Sequence, residues 1–260
     1  MMNKIFYLIL SISFFNNILS GKDKVIPRNH TISIKSSLLK ILNKEDLSNQ
    51  DIQESINLII LGADVDSKDK NGNTLLMLSA YLGDLEAVKR LYKMQSDINI
   101  QNNTGQTALI NAVISNNINV MHFLLNKNAK LELSDEHGYT ALMYAIETEN
   151  KELIRMILEK GADINCENKD KETPVIIAAR NGNEYAVELL ISFNCDINAR
   201  NSEGLTALIW AAALGNIEIV NMLLNAGADH SIKDVEGNTA FKIATLNGHK
   251  NLIEFFKKLF

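Results

Sequence analysis

The chain has 260 residues, 46% hydrophobic and 22% charged, with 26 Lys and Arg against 31 Asp and Glu for a net charge of −5. That balance excludes a disordered polyelectrolyte and argues against a dedicated nucleic-acid binder, whose affinity comes from neutralising phosphates with Lys and Arg. With 13 Gly and 2 Pro, turn residues are too sparse for a many-stranded sheet, and helices are expected.

The first 21 residues stand apart. Lys4 precedes an uncharged apolar run from Ile5 to Phe15, followed by Asn16, Asn17, Ser20 and Gly21. This is the layout of a secretory signal peptide, and the run is shorter than the ~20 apolar residues a membrane span needs. It implies export to the periplasm or the medium. Bulky Ile18 and Leu19 flank Ser20 where small residues suit cleavage, so an uncleaved signal anchor is the competing expectation and a buried N-terminal helix the plainer one. Residues 22–35 show no strong apolar period and are read as a linker.

Beyond them one pattern returns. GNTLLMLSA begins at Gly72, GQTALINAV at Gly105, GYTALMYAI at Gly138, KETPVIIAA at Lys171, GLTALIWAA at Gly204 and GNTAFKIAT at Gly237, so the threonines recur every 33 residues. A second marker keeps the same step: GAD at Gly62, QSD at Gln95, NAK at Asn128, GAD at Gly161, NCD at Asn194 and GAD at Gly227. Two markers in phase define a tandem repeat. The divisions are a degenerate copy at 36–68, copies at 69–101, 102–134, 135–167, 168–200 and 201–233, and a C-terminal capping copy at 234–260.

Each copy predicts two short helices. Thr206 is suited to N-cap the first, and Pro174 takes the first helical position, where its missing N–H costs nothing. Leu208, Ala211 and Ala212 share one face, and Gly215 ends the helix in the left-handed conformation. Ile219, Val220, Leu223 and Leu224 form the apolar face of the second helix, which stops at Gly227. A polar, turn-rich stretch to the next copy is fit for a projecting hairpin. No copy can hide its apolar sides alone, so the copies must stack into a solenoid with nearest-neighbour energetics.

The repeat length and the order G-x-T-x-L-x-x-A, G, V-x-x-L-L, G-A-D closely resemble the ankyrin repeat, over residues 69–260 with a degenerate earlier copy marked by LLKIL at Leu38 and INLIILGADVD at Ile56. The resemblance implies an all-α solenoid of helix-turn-helix units with projecting β-hairpin loops, used to bind other proteins. Departures are specific. Where the family often has His, this chain has Met77, Ile110, Met143, Ile176, Ile209 and Lys242, the first five expected to form an apolar ladder. Gly is replaced by Lys171 in a hairpin and Glu149 between helices, which predicts strained φ > 0 at about 1 kcal/mol each. Asn128 and Asn194 tolerate that conformation better, and Gln95 worse. In the last copy, Leu252, Phe255, Phe256 and Leu259 are expected to face the stack, and Lys250, Glu254, Lys257 and Lys258 the water. A membrane-active amphipathic helix is the alternative there.

The same resemblance places partner contacts at the hairpin tips and on the exposed, concave side of the first helix of each copy. The tip positions are Lys70, Asn71 and Asn73; then Asn103, Thr104 and Gln106; then Glu136, His137 and Tyr139. Lys169, Asp170 and Glu172 follow, then Ser202, Glu203 and Leu205. The helix positions are Tyr81 and Leu82, Ile114 and Ser115, Glu147 and Thr148, Arg180 and Asn181, Ala213 and Leu214. Tyr81, Leu82, Ile114, Tyr139, Leu205 and Leu214 are large apolar residues at outward positions, as binding hot spots tend to be. Trp210, in the column of Leu78 and Tyr144, is expected to pack inward.

No catalytic residue, cofactor or metal site is expected. His30, His122, His137, His230 and His249 lie in separate segments and form no H-x-x-x-H or H-E-x-x-H pattern. Glycines recur as turn punctuation rather than as a phosphate loop, and paired acids such as Asp135 and Glu136 read as solvated turn residues. Cys166 and Cys195 could pair in an exported protein, but they hold different repeat positions in neighbouring copies about 10 Å apart, beyond the reach of a bridge. Two separate thiols are expected. The functional expectation is a monomeric, non-catalytic module for another protein. The alternative is an envelope accessory, metal- or haem-related, with the repeats as scaffold. Abundant Asn, Ile and Lys with little Pro suggests an AT-rich, bacterial genome.

Overall fold

The computed structural model describes residues 28–259; the expected signal peptide lies outside them. The described residues form helices in consecutive pairs: α1 Arg28–Leu42 with α2 Asn49–Ile60, α3 Leu75–Leu82 with α4 Leu85–Lys93, and α5 Ala108–Ile114 with α6 Ile118–Asn126. They continue with α7 Ala141–Glu147 and α8 Lys151–Glu159, α9 Pro174–Arg180 and α10 Glu184–Ser192, α11 Ala207–Leu214 and α12 Ile217–Asn225, and α13 Ala240–Leu246 and α14 Lys250–Leu259. From α3 onward each odd helix packs on the next odd helix and each even one on the next even one. Two parallel rows result, the stacking that the 33-residue period predicts.

Local chemistry sets each unit. Thr74, Thr107, Thr206 and Thr239 accept from the backbone N–H three residues on, capping their helices. Thr140 and Thr173 hold the same extended backbone without that side-chain bond; Thr140 Oγ1 lies 3.5 Å from Cys166 Sγ instead. The turn between paired helices needs a left-handed residue. Gly83 and Gly215 supply it at φ 77° and 72°, but Glu149 is held at 56° and Lys171 in its hairpin at 59°. The strain expected at both is present, and Gln95, Asn128 and Asn194 also have positive φ.

The core is one continuous cluster along the stack. Met77, Ile110, Met143, Ile176 and Ile209 are all buried, so the apolar ladder stands where a histidine cross-link would otherwise sit. Trp210 is half-buried against the core, and its indole Nε1 is enclosed without a hydrogen-bond partner.

Three expectations are corrected. The linker read at 22–35 is helical from Arg28 onward; Ile34 packs on the core in step with buried Leu38, Ile41 and Leu42, so the helical period starts earlier than it looked. The loops between copies project as tight turns rather than paired strands, the isolated bridge Lys68–Thr74 being the strand-like pairing among the described residues. In α14, Leu252 and Phe256 are buried, whereas Leu259 faces water.

At the N-terminal end Ser48 and Asp51 form a reciprocal capping box at the start of α2. Asp51 also pairs with Lys44. The Lys44 hydrogen bond, then those from Ser48, hold the Asp51 carboxyl down at about 2.

Both cysteines are free thiols, as expected. Burial pushes each up to about 11, with Thr140 partly offsetting it at Cys166. At pH 8 roughly one thiol in a thousand is then ionised. Native protein should therefore react with iodoacetamide far more slowly than urea-unfolded protein, and faster as pH rises toward 11. Mass spectrometry of timed aliquots measures this; equal rates in the native and unfolded states would contradict the burial.

Candidate interaction surface

Every loop tip is built by the same device. Asp69, Asn102, Asp135, Asn168, Asn201 and Asp234 stand three residues before each turn's left-handed position. Each uses its side-chain oxygen to accept backbone N–H groups two and four residues on, at 2.7–3.1 Å. This is the Asx turn, a local alternative to strand pairing. The tips are then tied to one another. Backbone N–H groups of Asn103, Glu136, Lys169, Ser202 and Val235 donate to the carbonyls of Asn71, Thr104, His137, Asp170 and Glu203, at 2.7–3.0 Å. Main-chain polarity is thus consumed along the row, and the side chains between these bonds turn outward.

Of the expected tip residues, Lys70, Asn71, Asn103, Thr104, Glu136, His137, Lys169, Asp170, Ser202 and Glu203 are exposed. The third position of each tip is not. Asn73, Gln106, Tyr139 and Leu205 are half-buried, and Glu172 is only 8% exposed. Asn73 shows why: its amide donates to Asp69 and its carbonyl oxygen accepts from Asn102. That position braces the loop, so the placement of Glu172 at a free tip is corrected.

On the inner helices, Tyr81 is 56% exposed and Leu214 50%. Leu82, Ile114, Glu147 and Asn181 are also exposed. Thr148 turns its hydroxyl back to Ala145 O at 2.8 Å. The Oγ of Ser115 is enclosed without a partner, and Ala213 is half-buried, its carbonyl accepting from Asn247 Nδ2 at 2.8 Å. Sequence reasoning missed Val235 and Leu246, both exposed large apolar residues. The signal was available: they stand 33 residues after Ser202 and Ala213.

The middle of the face is polar. Tyr144 donates to Asp135 Oδ2 at 2.6 Å, and its ring lies 5.4 Å from that of Tyr139. Arg180 Nη2 donates to the Tyr139 hydroxyl at 3.2 Å and lies 3.7 Å from Glu147 Oε1, while its Nε lies 3.1 Å from Glu172 Oε1. Asn168 Nδ2 donates to the other Glu172 oxygen at 3.0 Å. Burial first, then the Asp135 carboxylate, pushes the Tyr144 phenol well above its usual range. Burial, then Glu147, also raises Tyr139, with Arg180 opposing. Both phenols stay protonated at neutral pH, Tyr144 donating to Asp135 and Tyr139 accepting from Arg180. The surface thus has apolar ends, around Tyr81 and Leu214, and a braced charged centre. Among the described residues no group of three His, Cys, Asp or Glu is placed to hold a metal ion, and no helix is long and apolar enough to cross a membrane.

The comparisons agree with this architecture. A family model described as Ankyrin repeats (3 copies) matches residues 47–135, 80–168 and 160–234. A crystal structure of the human ASB11 ankyrin repeat domain superposes with a TM-score of 0.67 at 20% identity, covering 84% of this chain and 96% of that one. That likeness concerns the fold. No protein of curated function matches the sequence. Ankyrin repeats generally serve as scaffolds for binding other proteins. With a repeat profile spanning most of its length and helix pairs stacked in register, the chain is a member of the ankyrin-repeat family.

Proposed function

We propose that this chain is a non-catalytic, monomeric binding module that holds one protein partner across its loop tips and inner-helix face. The observation that carries the reading is the exposure of Tyr81 and Leu214, large apolar side chains at the ends of helices whose first turns are buried in the core. Exposed apolar side chains at single positions are ordinary. Here Tyr81, Leu82 and Ile114 stand on neighbouring repeats at one end, with Leu214 and Leu246 on neighbouring repeats at the other. Two anchoring patches flanking a polar centre suit an elongated partner surface, with the anchors supplying most of the affinity.

The triple variant Tyr81→Ala, Leu82→Ala, Leu214→Ala removes both anchors without touching a buried residue. Partners captured by the wild-type chain and identified by mass spectrometry should be retained by the variant at least about tenfold less, with unchanged circular dichroism. Equal retention would place the contact elsewhere.

The proposed setting is outside the cytoplasm, in the periplasm or medium, and bacterial. It rests on the cation, apolar run and small residues of positions 1–21. N-terminal sequencing of protein from fractionated native cells tests it: a start near Lys22 agrees, and an intact Met1 in the cytoplasmic fraction does not.

A further inference from the structure

The C-terminal end carries a second surface. In the repeats before it, Leu76, Leu109, Leu142, Val175 and Leu208 are each 1% exposed because the following repeat covers them, whereas Phe241 in the same column is 40% exposed. Beside it, α13, α14 and the preceding loop enclose an open cleft of about 530 Å³. Its floor is Phe241 and Phe256, packed edge to face at 5.9 Å. Lys233, Lys257 and His230 line it with Ser231 and Thr239, and among the described residues no Asp or Glu does.

Two hydrogen-bond columns reach this cleft. In the first, the side-chain oxygens of Asp66, Asn99, Glu132, Asn165 and Asn198 each accept a backbone N–H from the next repeat, 31 residues on, at 2.8–3.2 Å. Ser231 is the next member. In the second, Lys68, Gln101 and Arg200 donate to backbone carbonyls 33 residues on, at 2.8–3.1 Å, and Lys233 is the next member. For Asn198 and Arg200 the groups received are Asp229 N–H and Lys233 C=O, on one short stretch of chain. Within the described residues nothing occupies that place beside Ser231 and Lys233. The cleft therefore presents an acceptor and a donor in the register that already grips peptide backbone along the molecule.

Charge selects the occupant. Lys242 is exposed at the position filled by Met77, Ile110, Met143, Ile176 and Ile209. Stacking an ordinary repeat here would bury its ammonium against apolar side chains, at considerable cost. A second copy docking by its N-terminal end would bring α1, with exposed Lys35 and Lys40, against Lys233, Lys242 and Lys257, like charge on like. An acidic chain meets neither obstacle.

We propose that this cleft binds an extended acidic peptide segment of a partner protein, its main chain along Ser231–Lys233, an apolar side chain over Phe241 and its carboxylates toward Lys233 and Lys257. The site is separate from the inner-helix face.

The test uses the full chain and a fluorescein-labelled Glu–Tyr copolymer, with a Lys–Tyr copolymer and laurate as comparisons, read by fluorescence anisotropy and displacement. The Glu–Tyr polymer should bind, with affinity reduced at least about tenfold by Lys233→Glu with Lys257→Glu and also by Phe241→Ala. The Tyr81, Leu82, Leu214 triple variant should leave it intact, which separates this site from the other face. All substituted side chains here are exposed, and circular dichroism checks the fold. No binding, equal binding by the charge-reversed variant, or binding of laurate alone would each overturn the proposal. So would self-association in sedimentation that the Lys233 and Lys257 reversals abolish without any effect on the polymer.

Discussion

Gly105→Val is expected to destabilise the protein by about 3 kcal/mol, combining positive-φ strain with an overpacked contact. Gly105 sits at φ +82°, and a Cβ there would meet Asp135 Cα at 2.8 Å, with Asp135 C and Ser134 O at 3.0 Å. Those are backbone atoms of the next loop and cannot rotate aside. Relief requires the two tips to separate, which breaks the Glu136 N–H bond to Thr104 O at 2.7 Å. Gly161 and Gly227, at similar φ, have nothing within 4 Å of the same added atom; Gly161→Val should cost about 1–2 kcal/mol, from strain alone. Conversely, Lys171→Gly should stabilise by about 1 kcal/mol by relieving the left-handed lysine. Urea titrations of the three variants measure the differences. Equal costs at Gly105 and Gly161 would mean the tips are not in contact. Because coupling in a solenoid is between neighbours, Gly105→Val should also broaden the transition, as units on either side of the weakened junction unfold separately.

The period made the architecture legible. Once the threonines and the GAD marker are in phase, helix pairs and turns follow from local chemistry, while the apolar ladder at Met77 to Ile209 and the strained positions at Glu149 and Lys171 follow from where the chain departs from the ankyrin pattern it resembles. Asn116, at φ 57°, belongs to the same turn column and went unremarked because Asn is not conspicuous there. The first helix was harder. Its apolar residues at Ile34, Leu38, Ile41 and Leu42 are interspersed with Ser and Lys, and upstream of the LLKIL marker the start of the period is not separable in sequence from the polar stretch before it.

The candidate surface was legible by position but not by burial. Repeat register identified which side chains share a column, and it placed Tyr81, Ile114 and Leu214 on the exposed row correctly. It could not tell that the third tip position is folded back by the Asx residue at the loop start. The Asx residues were visible, at Asp69, Asn102 and their counterparts, three residues before Gly or Lys171. Their meaning depends on backbone N–H groups with no sequence signature of their own. For the same reason Glu172 looked like a free acid at a tip. Its burial comes from Asn168 on the same loop and Arg180 from the following helix, a pairing across eight residues that no helical or strand spacing announces.

That pairing changes how the centre of the face must be tested. Arg180 spans Tyr139, Glu147 and Glu172 while its own side chain is 30% exposed and that of Glu172 only 10%. Removing the cation leaves a nearly enclosed carboxylate without its counter-charge, the costly direction of breaking such a pair. Arg180→Met should destabilise by about 2 kcal/mol, less than a fully enclosed pair because water still reaches the guanidinium. In a Glu172→Gln background, where Asn168 can still donate to the side-chain oxygen, the same change should cost less than half as much. A double-mutant cycle by urea titration gives the coupling directly; an unchanged cost in that background would show that Glu172 is not what Arg180 stabilises. The cycle also separates brace from contact. Reversing Arg180 to Glu would crowd three carboxylates together, so a resulting loss of partner binding could reflect a disturbed loop. If Arg180 touches the partner, the Arg180→Met, Glu172→Gln protein should remain deficient in binding although its stability has largely returned. If Arg180 serves only to balance the Glu172 charge and so keep the loop in place, affinity should recover with stability.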